Sequence, residues 1–270
     1  MINQGTIPLS SICSINQAIA LKGDKSLSLR ESNPKGKFDK LLDGRNINKY
    51  SIDWGGVYLD YNLDRIHSCK TRDIFTTKEK LMFRRVSSKL IFTYDNEQYF
   101  ALNTIVVVNL KSSKDSQLKY LLGILNSNLI DYYYRNKHKS TKTVFSEIQA
   151  RSVGELPIKK GKDEYQKMIS TIVDYILLLK NTNSDTSFLE RLIDSMVYEL
   201  YLPASIQSAG CEVLKHLGNL PELREEWDDG KKLQVIDKVY KELSDPGHPV
   251  STAILKMDTI EEIRIIEGKK

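Results

Sequence analysis

The run FALNTIVVVNL at residues 100–110 constrains this chain more than any other stretch. It is nearly continuous in apolar residues, with four β-branched side chains in a row at 105–108. That pattern suits a strand buried on both faces. Two more β-rich runs, GVYLDY and KLIFTYD, are bounded by Gly, Asp, Asn and Ser, the punctuation of short strands. DNEQ, residues 95–98, separates the last two runs and reads as a hairpin turn. The first 160 residues therefore read as mixed α and β.

Helical spacing appears next. Leu118, Leu121, Leu122, Leu125 and Leu129 share one face of a helix and commit it to a core. The same helix runs into Tyr132, Tyr133 and Tyr134 and a cluster of cations; Tyr132 or Tyr133 should continue the stripe. After ELPI at 155–158 and KKGK at 159–162 the character changes. Tyr165, Met168, Ile169, Ile172, Val173, Ile176 and Leu177 form one stripe, and Leu189, Leu192, Ile193, Met196, Val197 and Leu200 a second. NTNSDT joins them, with Ser187 and Glu190 spaced as a capping box. This is an antiparallel helical hairpin over 163–201, followed by short helices around CEVLKHLG, KLQVIDKVYKEL and TIEEIRIIEG. The expected fold is a mixed α/β domain over 1–158 and a helical region over 159–270.

Composition narrows the function. The net charge of +5 is uneven, because residues 1–160 carry an excess of eleven positive charges and the rest an excess of six negative ones. A basic half beside an acidic half points to a polyanion partner for the first. No run of eighteen apolar residues or basic-apolar leader is present, so neither a membrane span nor a secretory signal is expected, and the cytoplasm is the expected compartment. Cys13, Cys69 and Cys211 are far apart, and the four histidines have no HxxxH or HExxH spacing, which argues against structural zinc. GxGxxG, GxxxxGK[ST] and GxSxG are missing as well. The acid run Glu225, Glu226, Asp228 and Asp229 reads as a solvated helix end. No catalytic residue and no metal ligand is assigned.

Three basic segments remain as candidate DNA contacts. The first holds Lys22, Lys25, Arg30, Lys35 and Lys37 in a Gly-, Ser- and Asn-rich loop able to follow a phosphate backbone. The second, residues 65–89, has eight cations against Asp73 and Glu79. Arg72, Arg84 and Arg85 stand out there, since guanidinium contacts guanine or phosphate bidentately. Alternation along a strand turns Arg84 and Arg85 to opposite faces. The third contains Tyr134, Arg135, Lys137, His138, Lys139 and Lys142, a stacking ring beside phosphate-neutralising charge.

KLLDGRNINKY, KLMFRRVSSKLIFTYDNEQYFALNTIVVV, YLLGILNSNLIDYYYRN and FSEIQARSVGELPIKK occur in this order. The succession resembles the TaqI-like C-terminal specificity domain, the target-recognition part of adenine-specific DNA methyltransferases and type IIG restriction–modification enzymes. FLERLIDSMVYELY and TIEEIRIIEG resemble the helical close of longer members, with an insertion over 202–258 whose role the resemblance does not give. What it implies is an α/β target-recognition domain followed by helices, binding double-stranded DNA sequence-specifically, with Arg45 in the first motif joining the candidates. It also implies partners, a methyltransferase domain or subunit and a nuclease where the parent cleaves, and no membrane. No cofactor is expected in this chain, whereas S-adenosylmethionine and Mg²⁺ could serve the parent enzyme. The alternatives are a stand-alone specificity subunit like those of type I systems, docking a separate methylation subunit, and a metal-dependent nuclease. A protein that works only through its helical hairpin is a further alternative.

Overall fold

The structure, a computed structural model, describes residues 2–112, 117–138 and 147–269. It is mixed α/β in its first half and helical in its second. The chain divides into two compact units: Pro8–Leu118 with Lys137–Leu156, and Met1–Ile7 with Lys119–Asn136 and Pro157–Lys270. This partition differs from a break after residue 158, because residues 119–136 pack with the later helices.

In the α/β unit, Ile105–Leu110 is an interior strand of a four-stranded antiparallel sheet, between Lys80–Arg84 and Cys13–Gln17, with Phe92–Asp95 at the edge beyond Lys80–Arg84. Its residues 105–108 are fully buried, as an apolar run with no polar alternation requires. The strand is shorter than the run that announces it. Phe100–Ala101 belongs to a different sheet, pairing parallel with Asp39–Leu42, which continues through Tyr58–Leu59 to Leu29–Arg30. DNEQ is therefore not a hairpin turn. It carries the chain from one sheet to the other, with the Asp95 carboxylate accepting from the backbone N–H of Glu97 and Tyr99 at 2.7 and 3.0 Å. Ile19, Leu42, Leu59, Phe75, Phe100 and Ile105 meet in the core of this unit.

Beneath that core lies a charged pair. Lys80 and Asp95 are cross-strand neighbours, both side chains fully buried, 2.5 Å apart. Lys80 also donates to the Phe75 carbonyl at 2.7 Å. Burial pushes the Lys80 ammonium down from its usual value, and Asp95 opposes that shift. Removing one partner would strand the other charge without water.

The helical unit contains the expected hairpin, Asp163–Asn181 and Ser187–Tyr201. Its loop is capped differently from the spacing. Thr186 precedes the second helix and donates its hydroxyl to Glu190 at 2.7 Å, while Ser187 bonds to Asp185. The helix expected through residues 118–137 is two helices, Leu118–Leu125 and Asn128–Lys137. Ser127 interrupts it: its hydroxyl bonds to the Ile124 carbonyl at 2.7 Å and accepts from Ile130 N–H at 3.3 Å, as an N-cap does. Asp194 accepts both the backbone and side-chain N–H of Asn128, at 2.7 and 2.9 Å. Gly123 lets the first helix approach Asp163–Asn181 closely, since a Cβ there would lie 2.7 Å from Ile169 Cγ2 and 3.3 Å from Val173 Cγ2. Further helices follow at Pro203–Ala209, Asp229–Ser244, Pro249–Met257 and Glu261–Glu267. Asp228 of the acid run caps Asp229–Ser244 by accepting from Lys231 N–H. Among the described residues no helix is long and apolar enough to cross a membrane.

Two substitutions test these readings. Asp95→Ala leaves a buried ammonium unpaired and should lower the unfolding free energy by about 3–5 kcal/mol in a denaturant titration; a decrease below about 1 kcal/mol would mean that the pair does not anchor the sheet. Gly123→Val forces a branched side chain into a closed helix–helix interface, and a destabilisation of about 1–3 kcal/mol is expected. An unchanged melting temperature would show that the two helices are loosely packed there.

Candidate functional site

The α/β unit carries a surface groove of about 390 Å³ that gathers three of the candidate cations, Lys25, Arg45 and Arg84. Asp43, Gly44 and Arg45, at the turn Gly44–Asn46, line part of it. Asp43 caps that turn, accepting from Arg45 N–H at 2.8 Å, while Asn46 Oδ1 accepts from Asp43 N–H at 2.8 Å. Gly44 donates its N–H to Thr104 Oγ1 at 2.9 Å, and a Cβ on it would lie 3.2 Å from the Thr104 carbonyl. Glycine is thus what allows the turn to lie against residues 102–104. The groove is completed by Val86, Leu102 and Asn103.

The three cations play different parts. The Arg45 side chain is 91% exposed and is held by the Asp43 carboxylate at 2.8 Å. The Arg45 hydrogen bonds hold that carboxyl below the usual carboxylate range, against some desolvation. Arg84 is half-buried. Its Nε donates to the Ile47 carbonyl at 2.5 Å and its Nη2 to Asn48 Oδ1 at 3.1 Å, so it ties its strand to the segment that follows the groove turn. Lys25 is exposed, and among the described residues nothing accepts from its ammonium group.

Arg85 diverges from Arg84, as strand alternation requires. It pairs with Glu147 at 2.7 Å and donates to the Asn103 carbonyl at 3.0 Å. Arg30 pairs with Asp60 at 2.7 Å and lies over the Phe38 ring. Arg72 pairs with Asp39 at 2.6 Å and sits over Tyr61 and Phe100, 5.0 and 4.8 Å from their centroids. Such pairs shape the surface, and their guanidinium groups have fewer donors to spare for a ligand. Lys22 and Lys35 are exposed, with no acceptor for their ammonium groups among the described residues.

The tyrosine-and-cation segment is not assembled as expected. Tyr134 is buried, since its position in the helix Asn128–Lys137 places it on the packed side with Ile130 and Asp131; it offers no stacking face. Tyr132 and Tyr133 are half-buried instead. Arg135 is exposed and pairs with Asp131 one turn back at 2.8 Å, and Lys137 pairs with Glu155 at 3.0 Å. His138 is half-buried. Lys139 and Lys142 lie outside the described residues. Among the described residues no three His, Cys, Asp or Glu side chains gather to hold a metal ion, and Cys13, Cys69 and Cys211 form no disulfide.

Sequence reasoning missed Val86, Asn103 and Thr104. Val86 is 52% exposed, although a valine just past the buried strand Lys80–Arg84 carries no signal of exposure. Asn103 and Thr104 lie inside the apolar run that signals one long strand, and only the change of sheet turns them outward.

Residues 39–158 match the family model of the TaqI-like C-terminal specificity domain. A protein of Methanocaldococcus jannaschii that carries the name of a type II restriction enzyme and methyltransferase is 30% identical over 153 residues, 53% of this chain. The match spans 13% of that relative's length. Among solved structures, the type IIG restriction endonuclease BpuSI aligns over 74% of this chain and 32% of its own, at 14% identity and a TM-score of 0.45. The HsdS subunit from Thermoanaerobacter tengcongensis aligns over 74% of this chain and 46% of its own, at 15% identity and a TM-score of 0.36.

The clamping part of Arg84 and the open position of Arg45 separate by stability. Arg84→Met should cost about 1–3 kcal/mol in unfolding free energy, because it strips donors from partly buried acceptors. Arg45→Ala should stay within about 0.5 kcal/mol of the parent chain. Equal destabilisation in the two variants would mean that Arg84 is not the clamp.

Proposed function

Residues 39–158 belong to the TaqI-like C-terminal specificity domain family, and from that premise we propose that the chain binds double-stranded DNA sequence-specifically. It does so as the specificity module of a restriction–modification adenine methyltransferase. The family match carries this reading. The groove supports it, for all of its lining except Lys25 falls within the matched residues. In this reading Lys25 and Arg45, with Lys22 and Lys35 nearby in sequence, neutralise phosphates and set register. Arg84, Arg85, Arg30 and Arg72 hold the surface in shape, and the uncharged groove residues face the bases.

The methyltransferase chemistry belongs to the parent enzyme or a partner subunit. S-adenosylmethionine is assigned there, and so is Mg²⁺ should the parent cleave. The recognition module positions the duplex so that the target adenine can leave the stack. The helical region is the part we assign to docking the methylating domain or subunit. The cytoplasm, where DNA and cofactor are both found, is the proposed compartment.

The test is the salt dependence of duplex binding by the full chain. Replacing Lys25 and Arg45 together by alanine should weaken binding at all sequences alike. The slope of log K against log salt should fall by about 0.9 for each phosphate no longer neutralised. Retention of both affinity and slope would remove the groove from the DNA interface.

A further inference from the structure

Two exposed leucines stand on neighbouring turns of the α/β unit: Leu27, 59% exposed, and Leu63, 50% exposed. A single exposed leucine is ordinary on a protein surface. The way these are held is not. Leu27 closes the turn Lys25–Leu27, which Asp24 caps by accepting from Ser26 N–H at 2.9 Å. Its carbonyl accepts from two guanidinium groups, Arg65 at 2.6 Å and Arg30 at 3.0 Å. Both arginines share the Asp60 carboxylate, at 3.3 and 2.7 Å. The turn Leu63–Arg65 is capped in the same way by Asn62. Main-chain bonds then lace the two segments together, Lys22 N–H to the Arg65 carbonyl and Asp60 N–H to the Ser28 carbonyl, each 2.8 Å.

Three charged side chains therefore fix the backbone of a turn whose own side chain points into water. Rigidity of this kind lowers the entropy lost on binding, but contributes nothing to a leucine that stays solvated. The surroundings select the ligand. Lys25 follows Asp24 in the same turn, lines the cation groove and has no acceptor among the described residues; Lys22 is likewise exposed. An apolar tip flanked by ammonium groups in water is complementary to a surface that presents methyl groups between phosphates. The major groove of DNA does so at every thymine.

We propose that Leu27 and Leu63 form an apolar reading tip that contacts thymine methyl groups while the adjacent lysines hold phosphate. This rests on the DNA-binding reading above and adds a residue-level source of selectivity to it. Aliphatic contact discriminates without hydrogen bonds, so its signature is sensitivity to the C5 methyl rather than to salt.

The full chain is used to select its best-bound duplexes from a random library, and the leading duplex is resynthesised with deoxyuridine replacing thymidine one position at a time. At one or two positions the absence of the methyl should weaken binding by about fourfold. Leu27→Ser or Leu63→Ser should abolish that penalty at its own position, with an unaltered salt slope and melting temperature. Penalties that persist in both variants, or a duplex indifferent to every deoxyuridine, would overturn the proposal while leaving DNA binding intact. A chain that retains no duplex above background fails at the earlier step and takes the DNA-binding reading with it.

Discussion

The buried pair of Lys80 and Asp95 is the interaction on which the α/β unit depends. Its two side chains are wholly removed from water, a cost that Coulomb attraction offsets only with good geometry and additional hydrogen bonds. Both are present. The ammonium reaches the Phe75 carbonyl as well, and the carboxylate captures two N–H groups of the segment that crosses to the second sheet. Phe75 in turn stacks on Phe100, with centroids 4.9 Å apart, at the start of that sheet. One ionic pair thus links two strands, the end of a short helix and the sheet crossing.

Register is what this pair fixes. An apolar strand buried on both faces has little side-chain contrast to distinguish one alignment from the next. A one-residue slip turns every side chain to the opposite face. Lys80 has a single buried carboxylate opposite it, so a slip would leave two charges unpaired in the core. Four residues further along the same strand, that register decides that Arg84 reaches Ile47 and Asn48, just past the turn that lines the groove. Arg85 accordingly turns to Glu147. The register that shapes the groove is therefore held by an ion pair wholly buried away from solvent.

This also explains how far the sequence can be read. Period and composition report local burial, so the strand at 105–108 and the helical hairpin are legible, as is the ordered set of motifs over residues 40–160. Changes of direction inside an apolar run are not local. Nothing in FALNTIVVVNL marks Leu102 to Thr104 as the place where the chain leaves one sheet for another. Similarly, helical spacing alone runs through LNSN without marking the break at which Asp194, 66 residues away, captures Asn128. Tyr134 reads as outward-facing because cations follow it, yet the break at Ser127 resets the helical phase and turns it inward. The groove is only partly visible for the same reason: its cations are conspicuous, whereas Val86, Asn103 and Thr104 acquire their exposure from tertiary structure.

Arg45 and Lys137 apart, the candidate arginines and lysines divide by residue type, and the division has a physical cause. Guanidinium carries five donors in a fixed plane, so arginines in this fold find carboxylates and carbonyls, and become struts. Arg30, Arg65, Arg72, Arg84 and Arg85 all do so. Lysine is a strongly hydrated point charge, and Lys22, Lys25 and Lys35 remain in water. A surface built this way separates its tasks. In the proposed DNA-binding reading, lysines supply attraction that every duplex satisfies and salt weakens. Arginines brace the backbone at Leu27 and Asn103, and in the proposed reading such uncharged side chains are left to tell one sequence from another. On that proposal, selectivity depends less on how many cations the surface exposes than on how rigidly its few neutral tips are held.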